Sequence, residues 1–158
     1  MEQPVISGIA FTRDEAKLTV RGVRDVPGIA STILVPISNA SIEVDMIVQN
    51  VARHGKANLT FTVPSEDAFR AEKALKEHLS QGGGGKLGRS TKIAKISVVG
   101  VGMRSHSGVA SKFFEALAEI GVNMLMISTS EIKISVAVKP DNGEEAVRVA
   151  HTAFGLGK

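Results

Sequence analysis

The sequence predicts an α+β fold of two interlocked ferredoxin-like lobes, each a βαββαβ unit with an antiparallel four-stranded sheet and its helices on one face. Two observations carry this expectation. The chain repeats itself: Asp25-Val26-Pro27-Gly28-Ile29-Ala30-Ser31 aligns with Ser105-His106-Ser107-Gly108-Val109-Ala110-Ser111 at an offset of 80, and the same offset places Ile42–Ile47 on Val122–Ile127. A repeat of this kind fixes the architecture before any single element is assigned. The second observation is a missing strand. After the last helix of the second copy only Gly155–Lys158 remain, too little for a fourth strand, while the N-terminus holds a β-like segment, Val5–Phe11, that the first copy does not need.

Each copy reads as β-α-β-β-α. Its first strand is Ala16–Gly22 in one copy and Ile93–Gly100 in the other. A loop then leads to an apolar pattern of helical period, Ile29, Ile33, Leu34 and Ile37 in the first copy and Val109, Phe113, Phe114 and Leu117 in the second. Pro27 suits a helix entrance because it has a fixed φ and no N–H to leave unpaired. The helices should stop near Asn39-Ala40 and Ile120-Gly121, where Asn and Gly accept a left-handed residue. Strands over Ile42–Val51 and Asn58–Val63, and over Val122–Ser130 and Ile132–Val138, follow, and amphipathic helices over Glu66–Leu79 and Gly143–Phe154 close the copies. Lys86–Thr91 is the expected fourth strand of the first lobe, with Gly82–Gly85 as a connector. The domains are therefore residues 14–92, and residues 93–158 together with the N-terminal strand 4–12.

Composition narrows the function. With 158 residues and 43% hydrophobic content the chain can build a core. The net charge of +3 is a small excess of 19 basic over 16 acidic residues spread along the chain, not a clustered nucleic-acid footprint, and six Phe without Trp or Tyr offer few stacking platforms. No nucleic-acid partner is expected. The absence of cysteine removes disulfides, thiol nucleophiles and Cys-type zinc sites. No apolar run approaches the ~20 residues that span a bilayer, and Met-Glu-Gln-Pro does not begin a signal peptide, so a cytoplasmic location without membrane contact is expected.

No catalytic constellation emerges. His54, His78, His106 and His151 have no metal-ligand spacing, and neither a metal nor a cofactor is expected. Of the four only His106 stands in the loop just before a helix. Gly82–Gly85 followed by Lys86 lacks the Ser or Thr of a phosphate loop, since Leu87 stands there, and Gly100-x-Gly102 lacks the third glycine of a dinucleotide fingerprint. Ser128, Thr129 and Ser130 have no nucleophile elbow. Met124 and Met126 share a strand face and read as packing. What remains is a site made from backbone. A loop ending in Pro27-Gly28 at a helix N-terminus offers N–H groups and the positive end of the helix dipole to a carboxylate. Asp25, with Glu43 or Asp45 on the next strand, could hold an ammonium group, and Gln49 adds an amide. The chemistry suits a free amino acid.

These residues resemble a known family. Asp25–Ala30, Glu43–Val51 and Phe61–Pro64 are similar to the first ACT module of bacterial aspartate kinases. Val98–Met103, Ser107–Ala110 and the string Asn123 through Ile127-Ser128-Thr129-Ser130-Glu131-Ile132-Lys133-Ile134-Ser135-Val136 are similar to the second. The resemblance runs from about Val5 to about Gly155. It implies a regulatory, non-catalytic ACT pair that forms a homodimer by ACT–ACT pairing, binds threonine and/or lysine, and acts on an aspartate kinase catalytic domain or α subunit. It also implies effector contacts from Asp25, Gly28, Ile29, Ala30, Glu43, Val44, Asp45 and Gln49 in the first lobe, and from Val109, Ala110, Asn123, Met124, Ser130 and Glu131 in the second. Glu43 departs from the family, which commonly has asparagine there; the second lobe keeps Asn123. The alternative is a freestanding ACT-pair sensor that regulates another enzyme.

Overall fold

The structure is a computed structural model that describes residues 5–51, 54–79, 85–101 and 106–156. Among these residues, seven strands and four α-helices follow in the order β1 (Val5–Arg24), α1 (Ile29–Asn39), β2 (Ile47–Val51), β3 (Lys56–Pro64), α2 (Ala68–His78), β4 (Lys86–Leu87), β5 (Thr91–Val101), α3 (His106–Glu119), β6 (Met126–Thr129), β7 (Lys133–Val138) and α4 (Gly143–Ala153). The chain divides into two compact units: residues 14–92, the first lobe, and residues 1–13 with 93–158, the second.

In the first lobe the strands are ordered β2-β3-β1, with β4 on the other side of β1. β1 and β3 are antiparallel, with Leu18 opposite Phe61 and Val20 opposite Leu59. The alternation of a strand sends these four side chains to one face, where Ile33 and Ile37 of α1 and Ala71 and Leu75 of α2 complete a core sealed from solvent. Each large side chain so buried contributes ~1.5–3 kcal/mol. The second lobe orders its strands β1-β5-β7-β6. Ile96 and Val98 of β5 face Val136 and Ile134 of β7, and Phe113, Leu117, Ala146 and Ala150 cover them. On the strand faces away from that core the Ser97 and Ser135 hydroxyls, both buried, bond to each other at 2.6 Å.

The N-terminal strand does complete the second lobe, but it is not a separate element. Val5–Phe11 and Ala16–Gly22 are one strand of 20 residues. The sequence reads these as two segments, yet Arg13 pairs with Glu144 on α4 and Glu15 is buried opposite Pro64, and the backbone between them stays extended. The expected strand Lys86–Thr91 shrinks to Lys86–Leu87, with Thr91 already opening β5. Ile42–Val51 and Val122–Ser130 also begin later than expected, at Ile47 and Met126, because Ile42 and Val122 are committed to the turns that follow α1 and α3. Ile42 and Val122 donate their N–H groups back to Ile37 and Leu117, and the left-handed residues are Ser41 and Gly121. His106 is the first residue of α3 instead of preceding it. Of the expected connector, Gly82–Gly84 lie outside the described residues. No helix among the described residues is long and apolar enough to cross a membrane.

Candidate functional site

The loop from β1 to α1 builds a groove of about 390 Å³ lined by Asp25, Val26, Pro27, Gly28, Ile29, Ala30, Ser31 and Gln49. Two backbone features shape it. The Asp25 N–H donates to the Gly55 carbonyl at 2.9 Å, which ties the loop to the turn between β2 and β3. Gly28 caps α1 with φ of 88°, a conformation that side chains resist, and no atom stands within 4 Å of where its Cβ would be. The cap has no side-chain acceptor, and while the Ile29 N–H donates to the Val26 carbonyl at 3.2 Å, the N–H groups of Ala30 and Ser31 are left to an external partner. A negatively charged group is favoured there by the helix dipole, and the exposed Asp25 carboxylate and Gln49 amide stand at the rim for a group of opposite sign.

Of the residues expected in the first lobe, Asp25, Gly28, Ile29, Ala30 and Gln49 come together in this groove. Glu43, Val44 and Asp45 do not line it. They lie ahead of β2 and not on a strand; Glu43 is exposed, Val44 is half-buried against the first-lobe core, and the Asp45 N–H donates to the Thr62 carbonyl at 3.0 Å. Ser31 belongs to the groove and was not singled out from the sequence. Its signal was present in the repeat, since position 111 is also serine.

In the second lobe the equivalent loop, Gly102–Ser105, lies outside the described residues. Val109 gives its side chain to the core, Ala110 is half-buried beside it, and Met124 packs half-buried on the same cluster. Asn123, Ser130 and Glu131 are exposed, Asn123 in the turn before β6 and the other two in the turn from β6 to β7, where the Ser130 N–H donates to the Lys133 carbonyl at 2.7 Å. Among the described residues no three His, Asp or Glu side chains are grouped to share a metal ion.

Comparison with known proteins agrees with this architecture. The ACT domain family model matches residues 18–79 and again residues 96–154. An aspartate kinase of Pseudomonas fluorescens (strain SBW25) is 58% identical over 156 residues, which are 99% of this chain and 38% of the relative. The chain thus spans well under half the length of such curated relatives. A crystal structure of aspartokinase alpha and beta subunits superimposes with a TM-score of 0.86 at 45% identity, covering 96% of this chain and 99% of that one. The ligand-free regulatory subunit of aspartate kinase from Thermus thermophilus gives 0.86 at 38% identity, covering 95% and 99%. Two ACT matches in one chain, and full-length agreement with a regulatory subunit at this identity, lead to one conclusion: the chain belongs to the tandem ACT-domain regulatory region of the aspartate kinases.

Proposed function

We propose that this chain is the amino-acid sensor of an aspartate kinase, binding threonine and/or lysine and relaying their abundance to a kinase catalytic domain or α subunit as feedback inhibition. The observation that carries the reading is the groove at the start of α1, where uncapped N–H groups, a left-handed glycine and an exposed carboxylate lie within one small concavity. A zwitterion has the matching pair of charges: its carboxylate meets the helix terminus and its ammonium meets Asp25. The chain itself carries out no chemistry. Ligand binding changes the kinase only through a difference in affinity between two arrangements of the assembly. Couplings of ~1–3 kcal/mol per effector are ordinary, and two effectors acting together would add.

The sensor works as a homodimer. Among the described residues β2 and β6 are the outer strands of their lobes, each paired on one side only, and they expose Ile47, Val51 and Ile127. Unpaired edges with apolar side chains suit pairing with a second ACT lobe. Such a partner would also wall the open groove beside Gln49.

Calorimetry of the chain with threonine and with lysine tests the reading, with saturable heat from at least one expected in the millimolar range or below. Silence from both at millimolar concentration would sink it. Asp25→Asn should weaken binding by about 1.5–3 kcal/mol if the carboxylate pairs with the ammonium group.

A further inference from the structure

Residues that stand opposite one another on neighbouring strands share a face of the sheet, and like charges set there repel. One end of the first-lobe sheet holds two such pairs. β1 and β4 set Arg21 against Lys86, and β1 and β3 set Arg24 against Lys56. Residues three apart on a regular strand lie on opposite faces, but the register of β1 slips between Val20 and Val23, at a bulge where Gly22 has φ of 68° and donates its N–H to the Asn58 side-chain oxygen at 3.1 Å. Val20 and Val23 therefore both enter the core, and Arg21 and Arg24 both belong to the face away from the helices. Leu87 and Ala57, the neighbours of Lys86 and Lys56, are core residues as well. All four cations are exposed. In the sequence they are scattered over residues 21–86 and read as an even spread; strand pairing gathers them.

No counter-charge meets them. Among the described residues none of the four has a salt bridge or a side-chain hydrogen bond. Their neighbours on the face are neutral: Asn58, and Thr19 and Thr60, whose hydroxyls bond to each other at 3.1 Å. Glu15 shares the face but is buried ~20 Å back along β1. Asp25, next to Arg24 in the chain, lines the groove at the start of α1. The fold gains nothing from two uncompensated like-charge pairs, and a break of this kind in local consistency marks a site. Strands ~4.8 Å apart bring each pair within reach of one phosphate, and the three residues from Arg21 to Arg24 set the pairs at most ~10 Å apart. One phosphate can meet one pair; a chain of phosphates can meet both.

We propose that this end of the first-lobe sheet binds a linear polyphosphate, the chemistry shared by inorganic polyphosphate and the triphosphate of a nucleotide. Arg21 and Lys86 hold one end of the phosphate chain and Arg24 and Lys56 the other, the guanidinium groups forking onto phosphate oxygens and the ammonium groups acting as point charges. The site does not depend on what the groove at the start of α1 takes.

The test is an NMR titration of the isotope-labelled chain with sodium tripolyphosphate, against sodium phosphate and sodium chloride, at equal and low ionic strength where screening is weak. Saturable shifts confined to residues 19–24, 56–60 and 86–88 are expected, with tripolyphosphate binding at least ~10-fold tighter than phosphate. Arg21→Gln and Arg24→Gln should each weaken tripolyphosphate several-fold, and the double change should bring it down to the level of phosphate. Lys73→Gln, at an exposed position of α2, should leave it unchanged. Neither arginine variant should unfold at a lower temperature without ligand, as it would if the arginine served the fold. ATP separates the two sources, binding more tightly than tripolyphosphate if the ligand is a nucleotide and no more tightly if it is the inorganic chain. Shifts no larger than with sodium chloride, equal affinity for phosphate and tripolyphosphate, undiminished affinity in the double variant, a loss in Lys73→Gln as large as in Arg24→Gln, or a lowered unfolding temperature of the arginine variants would each overturn the proposal. So would binding of an oligothymidylate without binding of tripolyphosphate, since the partner would then be a nucleic acid.

Discussion

The two lobes close their sheets with unlike fourth strands. The second lobe uses the first part of β1, far away in sequence from its neighbour β5, and this strand brings its own adhesive: Ile6, Ile9 and Phe11 pack on the core, the Ser7 hydroxyl donates to the Val99 carbonyl, and Arg13 pairs with Glu144. The first lobe uses β4, two residues long, with Leu87 opposite Val20 and Lys86 opposite Arg21. Here the polar contacts dominate. Gly88 donates to the Thr19 carbonyl at 3.0 Å and Ser90 to the Glu72 carboxylate at 2.9 Å. Both closures span long loops, about 67 residues from Val20 to Leu87 and 92 from Ser7 to Val99, and because loop-closure entropy grows slowly with length it hardly separates them. The lobes thus solve one problem once with apolar area and once with hydrogen bonds.

The largest expected effect lies in the second-lobe core. Phe113 is sealed from solvent and touches the rings of Phe114 and Phe154. Phe113→Ala should cost about 3–5 kcal/mol in urea unfolding; Phe114→Ala, at a half-buried ring, should cost clearly less. Equal losses would mean that the core does not centre on Phe113. Next comes Gly143, the first residue of α4. A Cβ there would stand 2.9 Å from two atoms of the Phe11 ring and 3.0 Å from the Ala94 Cβ. Gly143→Ala should therefore cost about 1–3 kcal/mol, and truncating Phe11 in the same molecule should cancel part of that loss. The first lobe already has Ala68 at the matching position, where no N-terminal strand crowds the helix.

The repeated glycines sharpen the comparison further. Gly28 sits before its helix at φ of 88°, so Gly28→Ala should cost about 1–2 kcal/mol by backbone strain alone and should weaken any ligand held at the α1 terminus. Gly108, its partner in the repeat, lies inside α3 and is exposed. Gly108→Ala should leave stability unchanged or raise it by up to about 1 kcal/mol. Thermal unfolding of the two variants reads opposite signs if aligned glycines really serve different backbones.

Much of this was legible in the sequence because repetition is independent of propensity. The 80-residue offset gave two equal lobes, and the shortfall after Phe154 gave the crossing N-terminal strand. What escaped depended on tertiary partners. That Val5–Phe11 and Ala16–Gly22 are one strand shows only once Arg13 meets Glu144 and Glu15 meets the strand opposite. Glu43, Asp45 and Asn123 have strand-like neighbours, yet the turns after α1 and α3 delay the strands past them. Within the candidate site the loop residues Asp25 to Ala30 were readable as one helix entrance. A second groove, between α1 and α2, was not, because only packing brings Thr32, Ala74 and His78 to one concavity.

The smallest effect tests the polar closure of the first lobe. Glu72 corresponds to Val147, which packs on the second-lobe core, so the carboxylate has no equivalent there. The Ser90 hydroxyl, helped by the Ser90 N–H and by Lys76 and Arg89, holds the Glu72 carboxyl below the usual carboxylate range, against a partial burial that pushes the other way. A carboxyl depressed in the folded state contributes stability above its unfolded pKa, and that contribution disappears as pH falls through the lower folded value. Being partly exposed, the contact is worth at most about 1 kcal/mol. Glu72→Gln should lose that amount at neutral pH and converge with the unaltered chain in acid, measured as urea midpoints from neutrality downward. Curves that stay parallel through the acid range would show that the charge of Glu72 contributes nothing, and that β4 is held by its two backbone pairs and the Gly88 bond alone.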